Sequence, residues 1–198
     1  MNQPVEKPVN ILVVGVGGQG TILASELLAM VLMDAGYEVK KSEVHGMAQR
    51  GGRVVSHVRF GPCVYAPLII KGEVDYLVGF ELSETLRSME WLSPDAKVIT
   101  DTKAILPYTS LVGDASYPFD AIEKITEKGY EPAVIEGESL AEELGEKKTA
   151  NIVLMGRLAR YLPVERKIWE NAIRSNFPEK LVDLNLEAFK LGYEAGSA

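Results

Sequence analysis

Gly15-Val16-Gly17-Gly18-Gln19-Gly20 is the stretch whose residue types and spacing most directly imply chemistry. It matches G-x-G-x-x-G, with an apolar run, Val9 to Val14, before it and helix formers from Thr21 to Ala35 after it. In that setting glycines let the backbone turn tightly and approach a phosphate, while free N–H groups and the positive end of the helix attract the anion. A charge at such a terminus is worth about 0.3–1 kcal/mol when exposed. The same residues also suit a close strand-to-helix turn that binds nothing. A dinucleotide site further asks for an acidic residue at the end of the second strand. Here that strand, Tyr37 to Ser42, runs through Lys40 and Lys41, and Glu43 comes late. The pattern therefore favours a phosphate-bearing ligand over NAD in particular. No Gly-Lys-Ser or Gly-Lys-Thr follows, so there is no P-loop.

A second feature lies just downstream. Between Lys40 and Arg59 the cations Lys40, Lys41, Arg50, Arg53 and Arg59 face Glu43 alone, a net +4 inside a chain of net −7. Both histidines, His45 and His57, lie there too. In an open α/β sheet the loops at the carboxyl ends of the strands converge on the ligand crevice. The loop Glu43 to Gly52 is thus expected to bring His45, Gln49 and Arg50 near the glycine loop, with Gly51 and Gly52 allowing the backbone to bend closely beside the guanidinium. A solvated loop with an ordinary arginine is the alternative. His57 falls mid-strand, out of phase with Val58, and reads as a structural or interface histidine.

Other chemistry is missing from the sequence. There is no Gly-x-Ser-x-Gly elbow, no metal-ligand spacing of His, Cys and Asp, and no nucleophile with a paired base. Gly113-Asp114 is followed by Ala115, so a thiamine diphosphate signature is absent. Cys63 is the only cysteine. It cannot make an internal disulfide, which suits a reducing cytoplasm, and it cannot hold an iron–sulfur cluster. This chain reads as one that binds without completing a reaction alone.

The elements that must position these residues follow from the apolar pattern. Val9 to Val14 suits a strand buried on both faces of a parallel sheet. Thr21 to Ala35 is apolar most of the way round, as expected of a helix buried on several sides, and Gly36 stops it. Further strands are expected at Arg53 to Phe60, Val74 to Phe80, Lys97 to Thr100 and Ala133 to Ile135. Helices are expected at Ser83 to Leu92, capped by Ser83, and at Asp120 to Lys128, capped by Asp120. Ser93-Pro94-Asp95 reads as a turn. From Ser139 onward the chain is wholly helical: Ser139 to Leu144, Thr149 to Tyr161, Val164 to Asn176 and Glu179 to Glu194. This order predicts a three-layer αβα, Rossmann-like α/β fold with a mostly parallel sheet and a C-terminal helical appendage.

The 198 residues, 46% hydrophobic and 25% charged, fit one globular domain. The net acidity argues against a general nucleic-acid partner. Ile22 to Met33 contains Ser25 and Glu26 and is too short to span a bilayer, and Met1 to Pro8 lacks the form of a signal peptide. The expectation is a soluble cytoplasmic protein with no membrane role.

The glycine loop coupled to Ser42-Glu43-Val44-His45-Gly46-Met47-Ala48-Gln49-Arg50-Gly51-Gly52 resembles the gamma-type domain of the 2-oxoacid:ferredoxin oxidoreductases, in particular small subunits of the indolepyruvate type. Thr149-Ala150-Asn151-Ile152-Val153-Leu154-Met155-Gly156 and the tail with Asn185, Ala188 and Phe189 extend the resemblance over almost the whole chain. It implies one gamma-type domain over 1–198, with an α/β core at 1–138 and a helical tail at 139–198 packed on it. It implies a hetero-oligomer in which a large alpha subunit carries thiamine diphosphate, magnesium and 4Fe-4S clusters and passes electrons to ferredoxin. The small subunit is then implicated in coenzyme A binding. By motif, Gly15, Gly17, Gly18, Gln19, Gly20 and Thr21 are expected at the ligand, with His45, Gln49, Arg50, Gly51 and Gly52 in the neighbouring loop. No catalytic acid or base, and no metal ligand, is carried over.

Two other readings remain open at this point. One is a freestanding Rossmann-type NAD enzyme or an adenylating enzyme. The other is an assembly module whose basic loop docks on an acidic partner.

Overall fold

A computed structural model describes residues 5–45, 52–106 and 116–196, with the side chain of His45 left aside. Six strands form one sheet: β1 (Val9–Val16), β2 (Glu38–His45), β3 (Arg53–Gly61), β4 (Val74–Gly79), β5 (Leu92–Asp101) and β6 (Ala133–Ile135). Their order across the sheet is β2-β3-β1-β4-β5-β6. The helices are α1 (Thr21–Asp34), α2 (Leu82–Arg87), α3 (Ala121–Glu127), α4 (Gly137–Glu143), α5 (Ala150–Ala159), α6 (Arg166–Asn176) and α7 (Glu179–Glu194).

The sheet is mostly parallel, as expected: β1 pairs with β4, β4 with β5 and β5 with β6 in parallel. One strand departs from that expectation. β3 runs antiparallel to both β1 and β2, so it lies between the glycine-loop strand and the second strand. The cause is connection length, because β2 and β3 are joined through positions 46–52 and a parallel crossover needs a dozen or more residues.

Alternation along the strands sends side chains to two cores. Ile11, Val13, Val58, Phe60, Val78 and Ile99 face α1, α5, α6 and α7, where Trp169 stacks on Phe189 with ring centroids 5.6 Å apart. Leu12, Val14, Val55, Leu77 and Val98 face the other way, onto Ile69, Met89 and Ile125 of α3. The architecture is thus αβα. The sheet face and the C-terminal helices together bury the apolar girdle of α1, including Leu27, Leu28, Val31 and Leu32.

Several local expectations are corrected. The cap of α2 is Glu81, whose carboxylate accepts the Glu84 N–H, and not Ser83. Asp120 precedes α3 without capping it, since its carboxylate pairs with Lys124 instead. Ser93-Pro94-Asp95 makes no turn but continues β5, with a register irregularity between Val74 and Tyr76 of β4. α2 ends at Arg87, and Met89–Trp91 forms a short 3-10 turn before β5. Gly36 does end α1, with φ of 89°.

Candidate functional site

The glycine loop leaves β1 at the carboxyl edge of the sheet and is held by its own glutamine. The Val16 N–H donates to Gln19 Oε1 at 2.8 Å, and Gln19 Nε2 donates to the Phe80 carbonyl at 2.6 Å, which ties the loop to the end of β4. Gln19 thus shapes the turn as well as lining the space above it. Gly18 has φ of 105°, and Gly20 caps α1 in the left-handed region with φ of 76°. A side chain at Gly20 is doubly excluded, because an added Cβ would also lie 2.5 Å from Asn151 Nδ2. Gly20 makes no side-chain cap, and no acidic residue occupies the first turn of α1, so the positive end of the helix is not offset locally.

Gly18, Gln19 and Gly20 line a cavity of about 350 Å³. Its other walls come from the ends of β4 and β5 and from the starts of α4 and α5: Phe80, Asp101, Lys103, Glu138, Lys147, Lys148 and Asn151 among them. Gly15 and Thr21 lie beneath the turn rather than in the cavity lining, and an added Cβ on Gly15 would meet Gln19 Oε1 and Thr21 Oγ1, both at 2.9 Å. The Thr21 hydroxyl is buried with no hydrogen-bond partner. The Gly17 N–H donates to the Gly52 carbonyl at 2.9 Å, which places Gly52 against the glycine loop. His45 ends β2 opposite Val54. Gln49, Arg50 and Gly51 lie outside the described residues.

The basic stretch is corrected in one respect. Its described cations are engaged by partners within the chain: Lys40 by Glu38, Lys41 by Glu43 and Glu26, Arg53 by Glu84, and Arg59 by Asn10 and the Ala66 carbonyl. Among the described residues, the cations lining the glycine-loop cavity are Lys103, Lys147 and Lys148. Lys103 and Lys147 both pair with Glu138, and the Lys103 contact is the largest influence holding that carboxyl below its ordinary range. Asp101 accepts the Lys103 N–H at 3.3 Å, and burial pushes its carboxyl up to about 6. His57 is buried, its Nδ1 accepts the Ile69 N–H at 3.3 Å, and its ring meets Trp91 edge-on, which fits a structural role.

Sequence reasoning missed Asp101, Lys103, Glu138 and Asn151 as cavity residues. Asp101 and Lys103 come from the end of β5 and just beyond it, Glu138 from the start of α4 and Asn151 from the start of α5. The available signals were an acid closing a buried strand, Ile99-Thr100-Asp101, and an asparagine opening an otherwise apolar helix.

The insertion of β3 also bears on the ligand. It moves the end of β2 two strand spacings, roughly 10 Å, from β1. A carboxylate at Glu43 is then misplaced for the ribose of a nucleotide seated on this loop, and it is engaged with Lys41. Among the described residues, no group of three or more His, Cys, Asp or Glu is placed to hold a metal ion, and no helix is long and apolar enough to cross a membrane.

Comparison with known proteins agrees with this architecture. The family model for pyruvate ferredoxin/flavodoxin oxidoreductase matches residues 10–195. The chain is 39% identical over 194 residues to the indolepyruvate oxidoreductase subunit IorB of Thermococcus kodakarensis, covering 96% of each protein. The keto/oxoacid ferredoxin oxidoreductase gamma subunit of Geobacter sulfurreducens superposes with a TM-score of 0.71 at 25% identity, over 96% of this chain and 99% of that one. The 2-oxoglutarate:ferredoxin oxidoreductase of Magnetococcus marinus, solved with 2-oxoglutarate, coenzyme A and succinyl-CoA bound, shares the fold with a TM-score of 0.74 at 22% identity, over 95% of this chain and 31% of that one. From a match that spans nearly its whole length, this chain belongs to the pyruvate ferredoxin/flavodoxin oxidoreductase family.

Proposed function

We propose that the chain is the small subunit of an indolepyruvate-type ferredoxin oxidoreductase, a single gamma-type domain that works only in complex with a large alpha subunit in the cytoplasm. The large subunit supplies the thiamine diphosphate and magnesium that cleave the 2-oxoacid and the 4Fe-4S clusters that carry electrons to ferredoxin. The net reaction converts an aryl 2-oxoacid, coenzyme A and oxidised ferredoxin to the aryl-acetyl-CoA, carbon dioxide and reduced ferredoxin. Support comes from the near-full-length likeness to indolepyruvate oxidoreductase subunits and from the single cysteine, which leaves the clusters to another chain.

The role of this chain is to bind the phosphate-bearing end of coenzyme A. The observation that carries it is the cavity at the glycine loop, where the uncapped N-terminus of α1 meets Lys103, Lys147 and Lys148. Backbone N–H groups and the helix terminus offer an anion fixed donors, and the lysines add point charges. At about 350 Å³ the cavity suits part of coenzyme A, leaving the pantetheine arm free to extend toward a partner.

The test is reconstitution. Arylpyruvate-dependent ferredoxin reduction is expected from the chain combined with its large partner and from neither alone; turnover by this chain alone would overturn the assignment.

A further inference from the structure

Two carboxylates stand one helical turn apart at the carboxyl end of β4. Glu81 and Glu84 are 1% and 6% exposed, and neither lines the glycine-loop cavity. A buried carboxylate is costly unless it is paired, so its partners indicate what it holds. Glu81 closes local structure: it accepts the Glu84 N–H at 2.8 Å and the Ile105 N–H at 3.1 Å, together with the Tyr117 hydroxyl.

Glu84 reaches in the other direction. Its Oε2 faces Arg53 Nε at 2.9 Å, and its Oε1 accepts from Arg87 Nη1 at 2.8 Å. Arg53 Nη2 donates to Ser88 Oγ at 3.1 Å, and that hydroxyl donates back to the Glu84 carbonyl at 2.8 Å. The guanidinium is therefore held to α2 at two points: by charge alone at Glu84, where Nε and Oε2 do not align as a hydrogen bond, and by a hydrogen bond at the Ser88 cap. An ammonium, a single point charge, does not span both. Arg53 is the first residue of β3, sits opposite Val16, and follows Gly52, whose carbonyl takes the Gly17 N–H. The glycine loop is thus fastened twice: by Gln19 to Phe80 on its inner limb, and through Gly17, Gly52 and Arg53 to Glu84 on its outer limb.

We infer that Glu84 is a positioning residue for coenzyme A binding: by fixing Arg53 it holds Gly52 against Gly17 and so aims the glycine loop at its ligand. This rests on the reading of the glycine-loop cavity as the coenzyme A site. The pair is partly open on the arginine side, at 33% exposure against 8% for the glutamate, so solvent screens its worth to the fold. Its effect is expected in the geometry of the loop it holds.

The experiment uses the assembled complex with Glu84→Gln, which keeps shape and removes charge, and Arg53→Lys, which keeps charge and removes the fork. Calorimetric titration with coenzyme A is expected to show affinity falling about tenfold in each. Assembly, the KM of the 2-oxoacid and kcat at saturating coenzyme A stay within about twofold. Glu84→Asp is expected to recover part of the loss. An unchanged coenzyme A affinity in Arg53→Lys, while Gly18→Ala still weakens it, overturns the inference alone. So does a loss of kcat and of both affinities together. If Gly18→Ala also leaves coenzyme A binding unchanged, the reading of the cavity fails instead. Should Glu84→Gln not fold, Arg53→Lys decides.

Discussion

At the glycine loop, an added Cβ on Gly18 would meet nothing within 4 Å, yet the residue has φ of 105°. In the crossing of α5 over α7, an added Cβ on Gly192 would lie 1.7 Å from the Val153 carbonyl oxygen, and one on Gly156 would lie 2.1 Å from that of Phe189. The first glycine is required by backbone conformation beside open space. The other two are required by two helix backbones in contact. The loop glycine is thus free to serve the proposed ligand at small cost to the fold, while the helix glycines serve the fold.

The comparison is broken most forcefully at the helix crossing. Gly192→Val is expected to lower unfolding free energy by about 3 kcal/mol or more, because two backbones must separate. Denaturant unfolding of the chain measures it, and a loss below about 1 kcal/mol would mean the crossing is looser than its geometry implies.

Asp101 belongs to both regions, since it lines the cavity and also accepts the N–H of Gly137, where the C-terminal helices begin. Burial raises its carboxyl from an ordinary 3.8 to about 6. A raised carboxyl favours the folded state fully below the ordinary value and loses that contribution as pH rises through about 6. Wild-type stability is thus expected to carry a decline on the order of 2 kcal/mol between pH 4 and 6 that Asp101→Asn lacks. Matched stability–pH profiles of the two proteins check this, and parallel profiles would contradict it.

Gly18→Ala is expected to have the smallest effect on the fold, about 1–2 kcal/mol of backbone strain, with coenzyme A affinity falling about tenfold. A stability loss as large as that of Gly192→Val would erase the distinction between the two kinds of glycine.

The apolar pattern made much of this legible. β6 and α7 fall at the expected residues, and the glycine loop lies between the strand and helix that its spacing demands. The reversed β3 was harder to read, because a run such as Val54 to Phe60 reports burial without direction; only the short β2–β3 connection carries the sign. The caps failed where a side chain had a better partner, as Asp120 has in Lys124. Charge counted along the chain does not say where each side chain turns: the described cations of the basic stretch meet partners within the chain, while Arg50 lies outside the described residues. Lys103, Lys147 and Lys148 surround the loop from distant elements, and nothing in their local sequence marks them.

The most direct test of the central claim is titration of the assembled protein with coenzyme A, NAD and ATP, with a Lys147→Ala, Lys148→Ala double variant alongside. The account predicts saturable binding of coenzyme A that the double variant weakens. Tight binding of NAD or ATP with no binding of coenzyme A would contradict it.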